Sequence, residues 1–256
     1  MKIDENYFRA LLRQTIEEDP LCCRGVFLLC GLEFTTRVPS LCVTLGRRSV
    51  LRVNLDFVNS HCRTEQHVQA LLLHEFLHIL LGHTLRFKTM TPAWNIALDA
   101  VINAIIHRRM GTAFSSMMSD YYANAIGPAR LLRPMSQEER QSWILLGKKE
   151  AKSPAEIEAE HFFKLHHDVE IGKLVSDDII DVVRHFSERE LEKLLEDGLL
   201  LLGGHSNPGD PVESLPERVR ERLRQALSSI NPAGIWRKDN PVREQLTPAR
   251  VRASGI

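Results

Sequence analysis

The 256 residues carry 33 basic and 33 acidic side chains, a formal net charge of zero, with 43% hydrophobic and 26% charged residues. That balance suits a globular chain with a sizeable core and leaves no overall field to draw nucleic acid or an anionic membrane. No apolar run is long enough to span a bilayer, and the opening MKIDENYFRALLRQ lacks the basic and apolar regions of a signal peptide, so a cytoplasmic protein with no membrane partner is expected.

From Asp4 to Glu18, Tyr7, Phe8, Leu11, Leu12 and Ile16 recur at helical spacing until Asp19-Pro20 stops them, which predicts an amphipathic packing helix. After an apolar segment from Val26 to Leu32 come two runs of period two. Leu41, Val43 and Leu45 form the first and Leu51, Val53, Leu55 and Phe57 the second, with Gly46-Arg47-Arg48 between them, the pattern of a β-hairpin with one buried face. The five cysteines Cys22, Cys23, Cys30, Cys42 and Cys62 are an odd set without a C-x-x-C pair, and reduced thiols acting as small hydrophobes are expected.

Thr64 is placed to cap a helix from Glu65 to Arg86, and this helix holds the sequence LLLHEFLHILLGH from Leu71 to His83. His74, Glu75 and His78 make a His-Glu-x-x-His pattern. Residues four apart share a helix face, so the two imidazoles can turn toward one point, as half of a tetrahedral zinc site requires. Glu75 is rotated about 100° from His74, which sets it beside a bound metal as a base for a metal-bound water. Val68, Leu71, Leu72, Leu73, Phe76, Leu77, Ile79, Leu80 and Leu81 cover nearly the whole circumference. Two histidines and a glutamate inside so apolar a helix need partners to offset their desolvation; a cation supplies them for all three, whereas ordinary core histidines would need separate partners.

Thr91-Pro92 then opens a second buried helix that Gly111 closes. Its one polar line is Asn95, Asp99 and Asn103, at intervals of four. Two residues compete to be the third metal ligand. His83, five residues after His78, lies about 140° from it around an unbroken helix. Asp99 has the better case, because an unpaired carboxylate in the middle of so apolar a helix would be expensive and zinc accepts carboxylate oxygen. Asn95 and Asn103, one turn to either side, could orient the ligands by hydrogen bonds.

From Thr112 to Pro134 small and polar residues with scattered Met and Tyr show no clear period, which predicts a long loop over the site. Capping boxes mark helix starts at Ser136 with Glu139, Ser153 with Glu156 and Ser187 with Glu190, and a last helix is expected from Pro216 to Ser229. His205, in a Gly-Gly-His-Ser turn, could reach the site as an oxyanion donor, although a surface turn is the simpler account. Arg218, Arg220, Arg222 and Arg224, with Arg237, Lys238, Arg243, Arg250 and Arg252 beyond them, are spread over several faces and diluted by Glu217 and Glu221. They read as a solvated surface and not as a nucleic-acid site.

Three of these segments together resemble a family of bacterial metal-dependent peptidases, the putative metallopeptidase domain often joined to a von Willebrand A-like domain. They are Asn54-Leu55-Asp56-Phe57-Val58, the helix LLLHEFLHILLGH, and Trp94-Asn95-Ile96-Ala97-Leu98-Asp99-Ala100-Val101-Ile102-Asn103. The resemblance implies metal ligands at His74, His78 and Asp99, a base at Glu75, and a partner such as an AAA-type ATPase or a von Willebrand A-domain protein. With the residue-level reading it gives an α+β fold with a zincin-like core, a small sheet whose hairpin packs on the active-site helix, over residues 1–135. A helical annex with a loose basic tail would fill residues 136–256. The leading expectation is a Zn2+ metallopeptidase of the HExxH type acting on a protein or peptide substrate. The alternative is a metal-stabilised interaction module without catalysis, for which a base at Glu75 would have no use.

Overall fold

The computed structural model describes residues 2–18, 31–44, 49–81, 83, 91–185, 191, 201–202 and 217. The hairpin turn Gly46-Arg47-Arg48, the helix expected from Ser187 apart from Leu191, the arginine-bearing helix apart from Glu217, His205 and the tail all lie outside those residues, as do Cys22, Cys23 and Cys30.

Helix α1, Glu5–Glu18, follows the predicted stripe and buries Phe8, Leu11 and Thr15. Asp4 Oδ1 accepts the Tyr7 N–H at 2.8 Å and so satisfies one of the free donors of the first turn. Strands β1 (Gly31–Phe34), β2 (Leu41–Thr44) and β3 (Val50–Val53) form a sheet of order β1-β3-β2. The hairpin is present: β2 runs antiparallel to β3 with Leu41 opposite Val53 and Val43 opposite Leu51, and all four side chains are buried. Strand β1 lies parallel to β3 on its other side, which makes the second hairpin strand the centre of the sheet.

The second period-two run is shorter than its alternation implies. It ends at Val53 because the Asn54 side chain accepts the N–H groups of Asp56 at 3.0 Å and Phe57 at 3.3 Å, and so caps a short helix α2, Leu55–His61. Leu55 and Phe57 are therefore helical. Cys42 and Cys62 are buried and form no disulfide among the described residues, and burial pushes the Cys62 thiol up to about 12.

Thr64 caps helix α3, Glu65–Leu80, by accepting the His67 N–H at 3.2 Å. The helix ends well before Arg86, with Leu81 as its C-cap. Helix α4, Pro92–Met110, begins and ends where the punctuation places it, Thr91 accepting the Trp94 N–H at 3.3 Å and Gly111 closing it at φ 80°. The expected loop from Thr112 to Pro134 is instead helix α5, Thr112–Tyr121, followed by a 3-10 helix, Gly127–Leu132. Phe114, Met117, Met118, Tyr121 and Tyr122 do keep helical spacing. Met117, Met118 and Tyr122 are buried, and this apolar face drives the segment into the core.

Both described capping boxes are formed, at the starts of α6 (Gln137–Gly147) and α7 (Pro154–Glu170). Gly172, at φ 75°, turns the chain out of α7 toward α8, Ser176–His185. Helix α4 is the shared support, with α3, α5, α7, α8 and the 3-10 helix all packed against it. One apolar cluster joins Phe8, Val53, Leu72 and Ile102 to Val169 and Ile180, so α7 and α8 bury side chains in the same core as the sheet and α3.

Candidate metal centre

Every residue of α3 from His67 to Leu80 is buried, so the polar groups of the His-Glu-x-x-His pattern face protein on all sides. His74 and His78 are 0% exposed and Glu75 is 2% exposed. Helix α4 packs alongside and brings in Asp99, also 0% exposed. His78 Nε2 lies 3.1 Å from His74 Nε2 and 3.1 Å from Asp99 Oδ1, and His74 Nε2 lies 3.7 Å from the same oxygen. Among the described residues, no other trio of His, Cys, Asp or Glu brings ligand atoms this close.

Those separations test whether an ion fits. Ligand atoms on a tetrahedral ion with bonds of about 2.0–2.1 Å stand about 3.3–3.4 Å apart. The three edges observed scatter around that figure. Two neutral imidazoles would otherwise face lone pair to lone pair beside a buried carboxylate, an arrangement that requires a proton or a cation at its centre. The donor set of two nitrogens and one carboxylate oxygen suits a borderline ion, and three protein ligands leave a fourth position open.

The two asparagines of the polar line have different surroundings. Asn103 Oδ1 faces His74 Nδ1 at 2.8 Å while its Nδ2 donates to the Leu132 carbonyl at 2.8 Å. The second bond fixes the amide's orientation, so the oxygen is the atom offered to His74 and the imidazole must donate from Nδ1, leaving Nε2 its lone pair. Asn95 Oδ1 is buried without a hydrogen-bond partner among the described residues. His83 does not join the trio: its Nδ1 is 3.2 Å from Nδ1 of His78, the ring nitrogen turned away from Asp99.

Glu75 points to the sheet, its Oε2 accepting the Val43 N–H at 3.2 Å. Strand β2 pairs with β3 on one side only among the described strands, so this is an outward-facing amide of an edge strand beside the centre. Tyr122, which the loop reading of residues 112–134 hid, is buried nearby. Its phenol oxygen accepts the Leu202 N–H at 3.0 Å, and burial, with the negative charge of Asp99, raises its pKa well above the ordinary value. The spacing Phe114, Met117, Met118, Tyr121, Tyr122 was the signal that could have found it. A groove of about 730 Å³ between the 3-10 helix and α7, walled by Arg130, Phe162 and Leu165, shares no residue with the centre.

No described helix is long and apolar enough to cross a membrane. No curated protein matches the chain, and no solved structure does. Residues 15–163, more than half of the 256, match the family described as a putative metallopeptidase domain. That span contains the sheet, the His-Glu-x-x-His helix, the helix of Asp99 and the Asn103 contact, and the chain belongs to this family.

Proposed function

We propose that the protein is a zincin-like, zinc-dependent peptidase, with His74, His78 and Asp99 as ligands and Glu75 as general base. The observation that carries the reading is the trio of buried ligand atoms at tetrahedral spacing with a glutamate one residue from the first ligand. When bound, the ion would polarise the scissile carbonyl and lower the pKa of a water at its open position. Glu75 then takes the proton of the attacking water and hands it to the leaving amine. The Val43 amide holds the carboxylate toward the sheet. An extended peptide would lie along β2 and bond, as an added strand, to the main-chain groups of Leu41 and Val43 that face away from β3, the Val43 N–H given to Glu75 excepted. Since the ligands and Glu75 are sealed from solvent, a peptide bond reaches them only after some of the surrounding packing moves.

Glu75→Gln keeps the shape and removes the base. The variant is expected to bind zinc as the wild type does and to lose turnover by about 10²-fold or more, as general-base loss implies. Cleavage of a protein substrate at the wild-type rate would refute the mechanism. The burial of the ligands also suits a second reading, a metal-stabilised module that docks an AAA-type ATPase or a von Willebrand A-domain protein without catalysis. In that case zinc removal would unfold the protein or abolish docking, and Glu75→Gln would change neither.

A further inference from the structure

We infer that His83 is a positioning residue for His78: its Nδ1 accepts the Nδ1–H of His78 and so keeps the lone pair of His78 Nε2 directed at the metal. This rests on the metal reading given above. The His78 ring has a neighbour at each nitrogen. Nε2 is 3.1 Å from His74 Nε2 and from Asp99 Oδ1, and Nδ1 is 3.2 Å from His83 Nδ1. Two ring nitrogens at that distance share one hydrogen, so one donates and the other accepts. A neutral imidazole that gives Nε2 to a metal carries its hydrogen on Nδ1. His78 is therefore the donor, and His83 accepts at Nδ1 with its own hydrogen on Nε2.

Sequence spacing alone turns His83 away from His78, because an unbroken helix sets residues five apart about 140° from each other. Helix α3 closes at Leu80 with Leu81 as its C-cap, so His83 does not follow that rotation. Its ring meets that of His78 at 5.2 Å between centroids and 73° between planes, and it is 5% exposed, so packing holds the acceptor in place. The two proposed ligand imidazoles are thus locked from behind by different partners. An amide anchored on Leu132 serves His74, and a third imidazole serves His78. Partners of this kind typically change metal affinity or activity by about 10–100-fold when lost.

The test is Zn2+ affinity of the full chain, measured by competition with a chromophoric chelator at one pH above 7, for wild type, His83→Phe and His83→Gln. Phenylalanine fills the space without an acceptor, whereas the glutamine amide oxygen can accept. His83→Phe is expected to weaken zinc about 10–100-fold, and His83→Gln to recover most of it. Equal affinity in wild type and His83→Phe would overturn the role of His83 while leaving the metal reading intact. So would a His83→Gln as weak as His83→Phe, since packing would then be what matters. A wild type that binds no ion overturns the metal reading and this inference together. Should His83→Phe fail to fold, ring ¹⁵N shifts of the zinc-loaded wild type decide. A hydrogen on Nδ1 of His78 and on Nε2 of His83 supports the assignment, and a hydrogen on Nδ1 of His83 refutes it.

Discussion

Asp99→Ala removes the carboxylate that stands 3.1 Å from His78 Nε2 in a site closed to water. Zinc held by four ligands in small domains is worth roughly 10–16 kcal/mol at neutral pH, so one ligand carries roughly 2.5–4 kcal/mol, or about 10²–10³ in affinity. At a zinc concentration one hundred times the wild-type Kd, bound ion adds about 2.7 kcal/mol to the unfolding free energy. In the variant the Kd rises to that concentration or above it, and the same zinc contributes about 0.4 kcal/mol or less. For a chain of this size the wild-type increment corresponds to a rise in Tm of roughly 5–10 °C. The assay is thermal unfolding with zinc and with chelator for both proteins, the quantity of interest being the difference within each. Wild type should show the full shift and Asp99→Ala about 2 °C or less. An equal zinc-dependent shift in Asp99→Ala would remove the carboxylate from the ligand set, whatever the variant's absolute stability.

Met118 is 0% exposed on α5, so Met118→Ala should destabilise by about 2–5 kcal/mol in denaturant titration, whereas a loop residue there would cost under about 0.5 kcal/mol. Glu139 supplies a pH test: burial, its largest influence, pushes its carboxyl up, but hydrogen bonds from Arg133, the Ser136 N–H and Arg130 outweigh it and hold the pKa at about 2. A depressed folded pKa gives stability that is fully present above the unfolded value of about 4.3 and is lost as pH falls toward 2, so Glu139→Gln should cost about 3 kcal/mol at pH 7 and progressively less below pH 4. A penalty independent of pH would show that shape and not charge matters at that position.

The parts of the fold that were legible carry local signals strong enough to survive any tertiary context. Thr64, Thr91-Pro92 and Gly111 mark helix ends by chemistry that acts within a few residues, and the capping boxes at Ser136 and Ser153 do the same. The central pair of helices and the triad of His74, His78 and Asp99 followed from such signals, because a carboxylate stranded in an apolar helix needs a partner. What failed depended on competition between signals. The alternation from Leu51 to Phe57 runs straight through Asn54, and only the side-chain cap there decides that the strand stops. The face of α5 was masked by its small residues, and with it went Tyr122. Parallel pairing of β1 with β3 leaves no mark on periodicity at all. The end of α3 at Leu80, which brings His83 to the back of His78, lies within an apolar run that reads as continuous helix.

Helix α3 has no side that meets water over the fourteen residues from His67 to Leu80. It is sheathed by four separate elements, α1, strand β2, α4 and α5, drawn from both flanks of the chain. Most helices can be peeled from a protein as half-finished surfaces, greasy along one stripe and soluble along the other; this one cannot. A fragment that retains the motif but drops the N-terminal flank exposes the wall that α1 and β2 cover, and one cut before Thr112 exposes the wall that α5 covers. The grouping of His74, Glu75 and His78 is therefore tied to the chain from α1 through α5, and its sheath closes from both directions along the sequence.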